Sequence, residues 1–235
     1  MATAESAELE LGFRPVSETD VDTRAKFILK TYSHLLGAVA AFTALEVFFF
    51  MSGLAVPIAQ ALFKFGPLPV LGGFILVSWI ATGAAHRAVS PLAQYTALTV
   101  YVVAEALFFI PLLLFANLKA PGVISSAAVV TALGFMGLSA VAFTTRKDFS
   151  FLGALLRWVG FGAILAIFGG LFFGFQLGTW FTVGMIVFAG AAILYDTSNV
   201  IHQYPEDRHV AASLQLFASV MLLFWYVLRL FLRRD

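Results

Sequence analysis

The sequence predicts an all-α integral membrane protein with seven transmembrane helices, and three observations predict it. Of its 235 residues, 61% are hydrophobic and 11% charged, against about 45–50% and about 25% in a soluble domain. The apolar residues, 26 Phe among them, exceed what one core of this size hides from water, so much of that surface faces lipid. They fall into charge-poor runs of roughly 20 residues, enough for a helix to cross a hydrocarbon layer about 30 Å thick. In lipid every backbone group needs an internal partner, and runs this continuous supply one as helices rather than as alternating strands.

The elements follow in chain order. Residues 1–30 place Glu5, Glu8, Glu10, Glu18, Asp20 and Asp22 ahead of Arg24, Lys26 and Lys30, and read as a disordered acidic head outside the membrane. Residues 31–235 form the transmembrane domain. The head lacks a basic n-region and a small-residue cleavage site, so the first span is expected to stay in the protein. The spans run over residues 32–56, 68–85, 95–117, 123–144, 149–173, 178–201 and 210–232. Between Arg157 and Asp196 lie 38 uncharged residues, about 57 Å of helix, which the polar break at Gly174, Gln176 and Gly178 divides into the fifth and sixth spans. Pro111 is expected to kink the third span or mark its end. The Gly170–Gly174 GxxxG, with Gly160, Gly162, Gly184 and Gly190, predicts close packing of the fifth span on the sixth. The sequence shows no clear internal repeat, which leaves an inverted-repeat transporter without support.

Charge sets the expected orientation. Arg14, Arg24, Lys26, Lys30, Arg87, Arg146, Lys147, Arg157 and Arg208 fall on the side of the amino terminus; Lys64, Lys119, Arg229, Arg233 and Arg234 fall opposite. This bias predicts an amino terminus in the cytoplasm and a carboxyl terminus outside. A net charge of +1 without a basic block excludes the electrostatic footprint of a nucleic-acid binder. The absence of Cys excludes disulfides, thiolate metal sites and cysteine nucleophiles.

Ionisable groups at membrane depth are costly and usually face a cavity or a partner. The candidates are Glu105 near the middle of the third span, Glu46 in the outer half of the first and Asp196 near the cytoplasmic end of the sixth. Each also has a purely structural reading, because a neutral carboxyl hydrogen-bonded to a neighbouring helix is tolerated in a desolvated place. Arg87, at the end of the second span on the same face, is the expected cationic partner of Asp196. His34 and His202 lie near cytoplasmic helix ends and read as interfacial fillers. His209 follows the polar loop Pro205-Glu206-Asp207-Arg208 without metal-ligand spacing. No cofactor or metal is implied.

Enzyme readings fit poorly. An intramembrane aspartyl protease needs two carboxylates sharing a proton, but the polar residues of the seventh span are Ser213, Gln215 and Ser219. A serine protease needs a Ser and a His within hydrogen-bond reach; Gly137-Leu138-Ser139-Ala140 matches a nucleophile turn weakly, and no facing helix supplies a His. The sequence therefore reads as non-enzymatic.

Two longer stretches are more specific. Residues 143–153, FTTRKDFSFLG, join the fourth and fifth spans; residues 193–202, ILYDTSNVIH, close the sixth. Both resemble the Bax inhibitor-1 family, the second especially its bacterial YccA branch, with further support from Lys30-Thr31-Tyr32, Glu105 and the pattern of the seventh span. The resemblance covers the chain from about residue 27 to its end. It implies a seventh helix at the centre of a ring of six. It also implies two competing activities: restraint of an FtsH-type ATP-dependent protease in a bacterial cytoplasmic membrane, or a pH-sensitive calcium or proton-coupled leak. In leak members an Asp closing the sixth helix and another in the seventh form a latch, with an Arg on the second helix beside them. By this resemblance Asp196 matches the first Asp and Arg87 the Arg, but Ser219 stands where the second Asp would be. The YccA branch shares that Ser, which favours the protease-modulator expectation.

Overall fold

The structure, a computed structural model, describes residues 15–87, 90–145 and 147–233, the side chains of His86 and Arg87 excepted. It holds eight α-helices among these residues: α1 Val21–Met51, α2 Ala55–Phe65, α3 Pro67–Arg87, α4 Pro91–Lys119, α5 Val123–Thr145, α6 Leu152–Phe173, α7 Thr179–His202 and α8 His209–Leu232. All but α2 are long and apolar enough to cross a membrane, giving seven spans. The face at which α1 begins is called lower and the opposite face upper.

Hydropathy locates where helices meet lipid, not where they start. Helix α1 begins at Val21, because the Asp20 carboxylate accepts the Thr23 N–H at 2.9 Å and caps it. Its first turns, with Asp22, Arg24, Lys26 and Lys30, are therefore helical rather than a loose head. Residues 1–14 of the predicted head lie outside the described residues. Just before α1, a 3-10 turn at Val16–Glu18 docks on the lower face. There Val16 N donates to Tyr204 O at 2.9 Å, and Ser17 Oγ donates to His202 O at 2.8 Å. At its upper end α1 stops before Gly53, and the short α2 lies between Gly53 and Gly66, both with positive φ. That conformation favours glycine and turns the chain sharply. The sequence reading had no helix there.

Pro111 sits inside α4 without ending it. The GxxxG expectation is corrected. Gly174 is the left-handed C-cap of α6, with φ 73°, and a Cβ on Gly170 would meet the Phe175 carbonyl at 3.0 Å, so the pair shapes the turn after α6 rather than a helix interface. Of the other glycines expected there, Gly160 does pack α6 on α7, since a Cβ would stand 3.3 Å from Phe188; Gly190 meets Leu138 of α5, and Gly162 and Gly184 have open space, while Gly153, where a Cβ would stand 2.8 Å from the Tyr195 ring, makes the second close contact.

Helix α8 is the centre of the bundle, and most of its residues are buried. Helices α1, α3, α4, α5 and α7 pack along it. Phe217, Leu214, Leu228, Phe109 and Ile193 fill this core, with Phe42 edge-on to Phe109 at a centroid distance of 5.2 Å. Helix α6 stands off: it leans on α7, touches α3 slightly, and its buried residues are Gly153 and Ala163. The space it leaves beside α8 is the candidate site.

Candidate functional site

A cavity of about 1030 Å³ runs along α6, walled by α3, α4, α7 and α8. Most of its lining is apolar, including Phe74, Phe108, Phe188, Leu222 and Trp225, but it also carries Glu105, Asp196, Gln215 and Ser219, with Arg157 towards the lower end and Arg229 and Arg233 at the upper end.

Asp196 projects from the last third of α7 and is 2% exposed. The Ser219 hydroxyl of α8 donates to its Oδ2 at 2.5 Å. Gln215, one turn earlier on α8, faces the same carboxyl, as i and i+4 positions share a helix face. Such partners offset the cost of burying a carboxyl. Tyr204 in the connector after α7 is close by: burial pushes its phenol up, and the nearby Asp196 adds to this. The expected partner Arg87 ends α3 on the lower face, but its side chain lies outside the described residues.

Glu105 is 4% exposed in mid-α4, and Tyr101, one turn before it, faces its carboxyl. The cavity thus holds both Glu105 and Asp196. Glu46 belongs elsewhere: it is buried in α1, off the cavity lining, and neither carboxyl oxygen has a hydrogen-bond partner. Ser139, set aside as a nucleophile, lies 3.5 Å from the Thr197 hydroxyl. His34 Nε2 meets the Tyr95 hydroxyl at 2.8 Å, and its ring lies 5.0 Å from that of His209, joining α1, α4 and α8 at the lower face. Among the described residues no group of three His, Cys, Asp or Glu is placed to hold a metal ion.

The two stretches that carry the sequence resemblance touch. Phe149 N donates to Ser198 Oγ at 2.9 Å, and Tyr195 packs on Gly153. Sequence reasoning missed Tyr101, Gln215, Arg229 and Arg233 as cavity residues. Gln215 offered a signal, being four residues before Ser219.

A bundle of seven apolar spans, the last of them buried at the centre, with a carboxyl held at the junction of the last two, defines a polytopic α-helical integral membrane protein. The chain belongs to the Bax inhibitor-1 family, since it matches the family described as Inhibitor of apoptosis-promoting Bax1 over residues 24–235. Among its relatives, an uncharacterized Pseudomonas aeruginosa protein is 42% identical over 113 residues, 46% of this chain and 49% of that one. The Escherichia coli "Modulator of FtsH protease YccA" is 34% identical over 116 residues, 48% of this chain and 52% of that one. The "Golgi anti-apoptotic protein" of vaccinia virus is 29% identical over 227 residues, 92% of this chain and 88% of that one. The chain spans about half the length of these two bacterial relatives in the matched regions.

Proposed function

We propose that this protein is a non-enzymatic modulator of an FtsH-type membrane protease, acting in a bacterial cytoplasmic membrane with its lower face in the cytoplasm. The observation that carries the reading is the pairing of Asp196 with a hydroxyl, Ser219 Oγ at 2.5 Å. Two adjacent carboxylates resist being ionised together and so couple a helix contact to pH; a carboxyl and a hydroxyl supply a buried hydrogen bond between α7 and α8. The relative named as an FtsH modulator supports the same reading. Contact with the protease is assigned to the lipid-facing helices, with the head as a second contact.

A leak for calcium or protons is the second reading, favoured by the single cavity that holds both Glu105 and Asp196. Proteoliposomes separate the two. Copurification with the protease and no calcium flux supports modulation; an acid-dependent calcium flux abolished by Asp196→Asn overturns it. Removing residues 1–14 tests the head while leaving the Val16 contact to Tyr204 in place. Unchanged protease binding after that truncation removes the head from the account.

A further inference from the structure

The upper end of the cavity has a chemistry that neither reading uses. Arg229, in the last turn of α8, and Arg233, the residue that caps its end four positions on, both line it. Among the described residues, neither has a carboxylate within salt-bridge distance. Arg233 spends one NH2 donor on the Leu177 carbonyl at 2.6 Å, which ties it to the connector between α6 and α7 and leaves its other donors. Two guanidiniums lining one end of a chamber, with no carboxylate among the described residues in reach of either, favour an anion that accepts from both.

Below them the lining turns apolar. Phe74 of α3 stacks on Phe108 of α4 with centroids 4.3 Å apart, Trp225 of α8 stacks on Phe108 at 4.7 Å, and Ile164 of α6 faces them across the space. Between Arg229 and Ser219 this wall extends ten residues along α8, about 15 Å. Because α3 and α6 meet only slightly, the chamber's side lies along a seam between two lipid-facing helices, where a chain from the bilayer has direct access. A binding site of this kind, mostly apolar with a few placed polar groups, suits a ligand with the same division.

We propose that this chamber binds an anionic diacyl phospholipid drawn from the bilayer, its phosphate on Arg229 and Arg233 and one acyl chain lying between α3 and α6. The bound chain occupies the space that joins Glu105 to Asp196, so the lipid fills the core of the site. Charge complementarity selects the anionic headgroup, and the apolar wall selects a tail over a free anion.

Native mass spectrometry of the full chain, titrated in detergent, tests the assignment with dioleoylphosphatidylglycerol, dioleoylphosphatidylcholine of the same chains, and inorganic phosphate. The wild type is expected to retain one phosphatidylglycerol in preference to phosphatidylcholine, and phosphate is expected not to displace it. Replacing both arginines, Arg229→Gln with Arg233→Gln, is expected to weaken retention about thirtyfold. Ile164→Trp, which leaves the charges in place and fills the chamber, is expected to weaken it as well. Equal retention of the two lipids by the wild type overturns the proposal, as does displacement by phosphate alone. Retention unchanged in either variant also overturns it. The wild-type arms decide the matter even if a variant fails to fold, and none depends on protease modulation.

Discussion

The backbone N–H of Phe149 donates to the Ser198 hydroxyl at 2.9 Å, across 49 residues of chain. The loop between α5 and α6 is thereby fastened to the helix that carries Asp196, and Ser198 also reaches the Lys147 carbonyl at 3.5 Å. Ser198→Ala removes the acceptor for one amide, a loss of about 0.5–1.5 kcal/mol. Hydrogen exchange is expected to show faster exchange at the Phe149 amide, with the α8 core unchanged.

Ser219→Ala deprives a buried carboxyl oxygen of its hydroxyl donor. Leaving such a group unpaired costs about 1–3 kcal/mol, so thermal unfolding in detergent should show a clear loss. In a double-mutant cycle with Asp196→Asn, the two losses should fall short of adding, because both variants disturb one contact. Simple additivity would mean the pair is not coupled.

Gly153→Ala puts a methyl group within 2.8 Å of the Tyr195 ring. Overpacking of this kind costs about 1–3 kcal/mol, and the ring has cavity space beside it. A second change, Tyr195→Ala, should remove most of the penalty of Gly153→Ala. Melting temperatures of the two single variants and the double variant give the comparison.

Asp148 supplies a pH prediction in the loop. The Ser150 backbone N–H donates to its carboxylate at 2.8 Å and holds it below the ordinary carboxylate range, with a smaller contribution from His202. A folded-state pKa below the unfolded value contributes stability that is present above the unfolded value, about 3.9, and is lost as pH falls through the folded value. Asp148→Asn should therefore be slightly less stable than the wild type at neutral pH, and the difference should vanish in acid. The side chain is exposed, so the difference is small. Melting curves recorded from neutral pH to below the carboxylate range show it.

The seven spans were legible because lipid imposes a length and a hydropathy that sequence displays directly. Helix α2 escaped, since 11 residues fall well short of a crossing and its apolar run merges with its neighbours. The start of α1 escaped because charge keeps a residue out of hydrocarbon but not out of a helix; the capping Asp20 was the available signal. Glu46 and Glu105 read alike, and only the rotation of α1 and α4 separates an unpartnered carboxyl in the core from one facing the cavity. In the sequence Arg229 and Arg233 carry only an orientation signal, because a linear sequence does not show that α6 stands away from α8. Gly174 carries two sequence signals, a GxxxG and the polar break it forms with Gln176 and Gly178, and only the break describes its place as the cap of α6.

The most direct test of the central claim is the degradation rate of a membrane substrate of an FtsH-type protease, reconstituted with and without this protein in the same bilayer. Slower degradation that follows the amount of this protein is predicted, with the two proteins recovered together after solubilisation. A rate that stays the same at every ratio of the two would contradict the account.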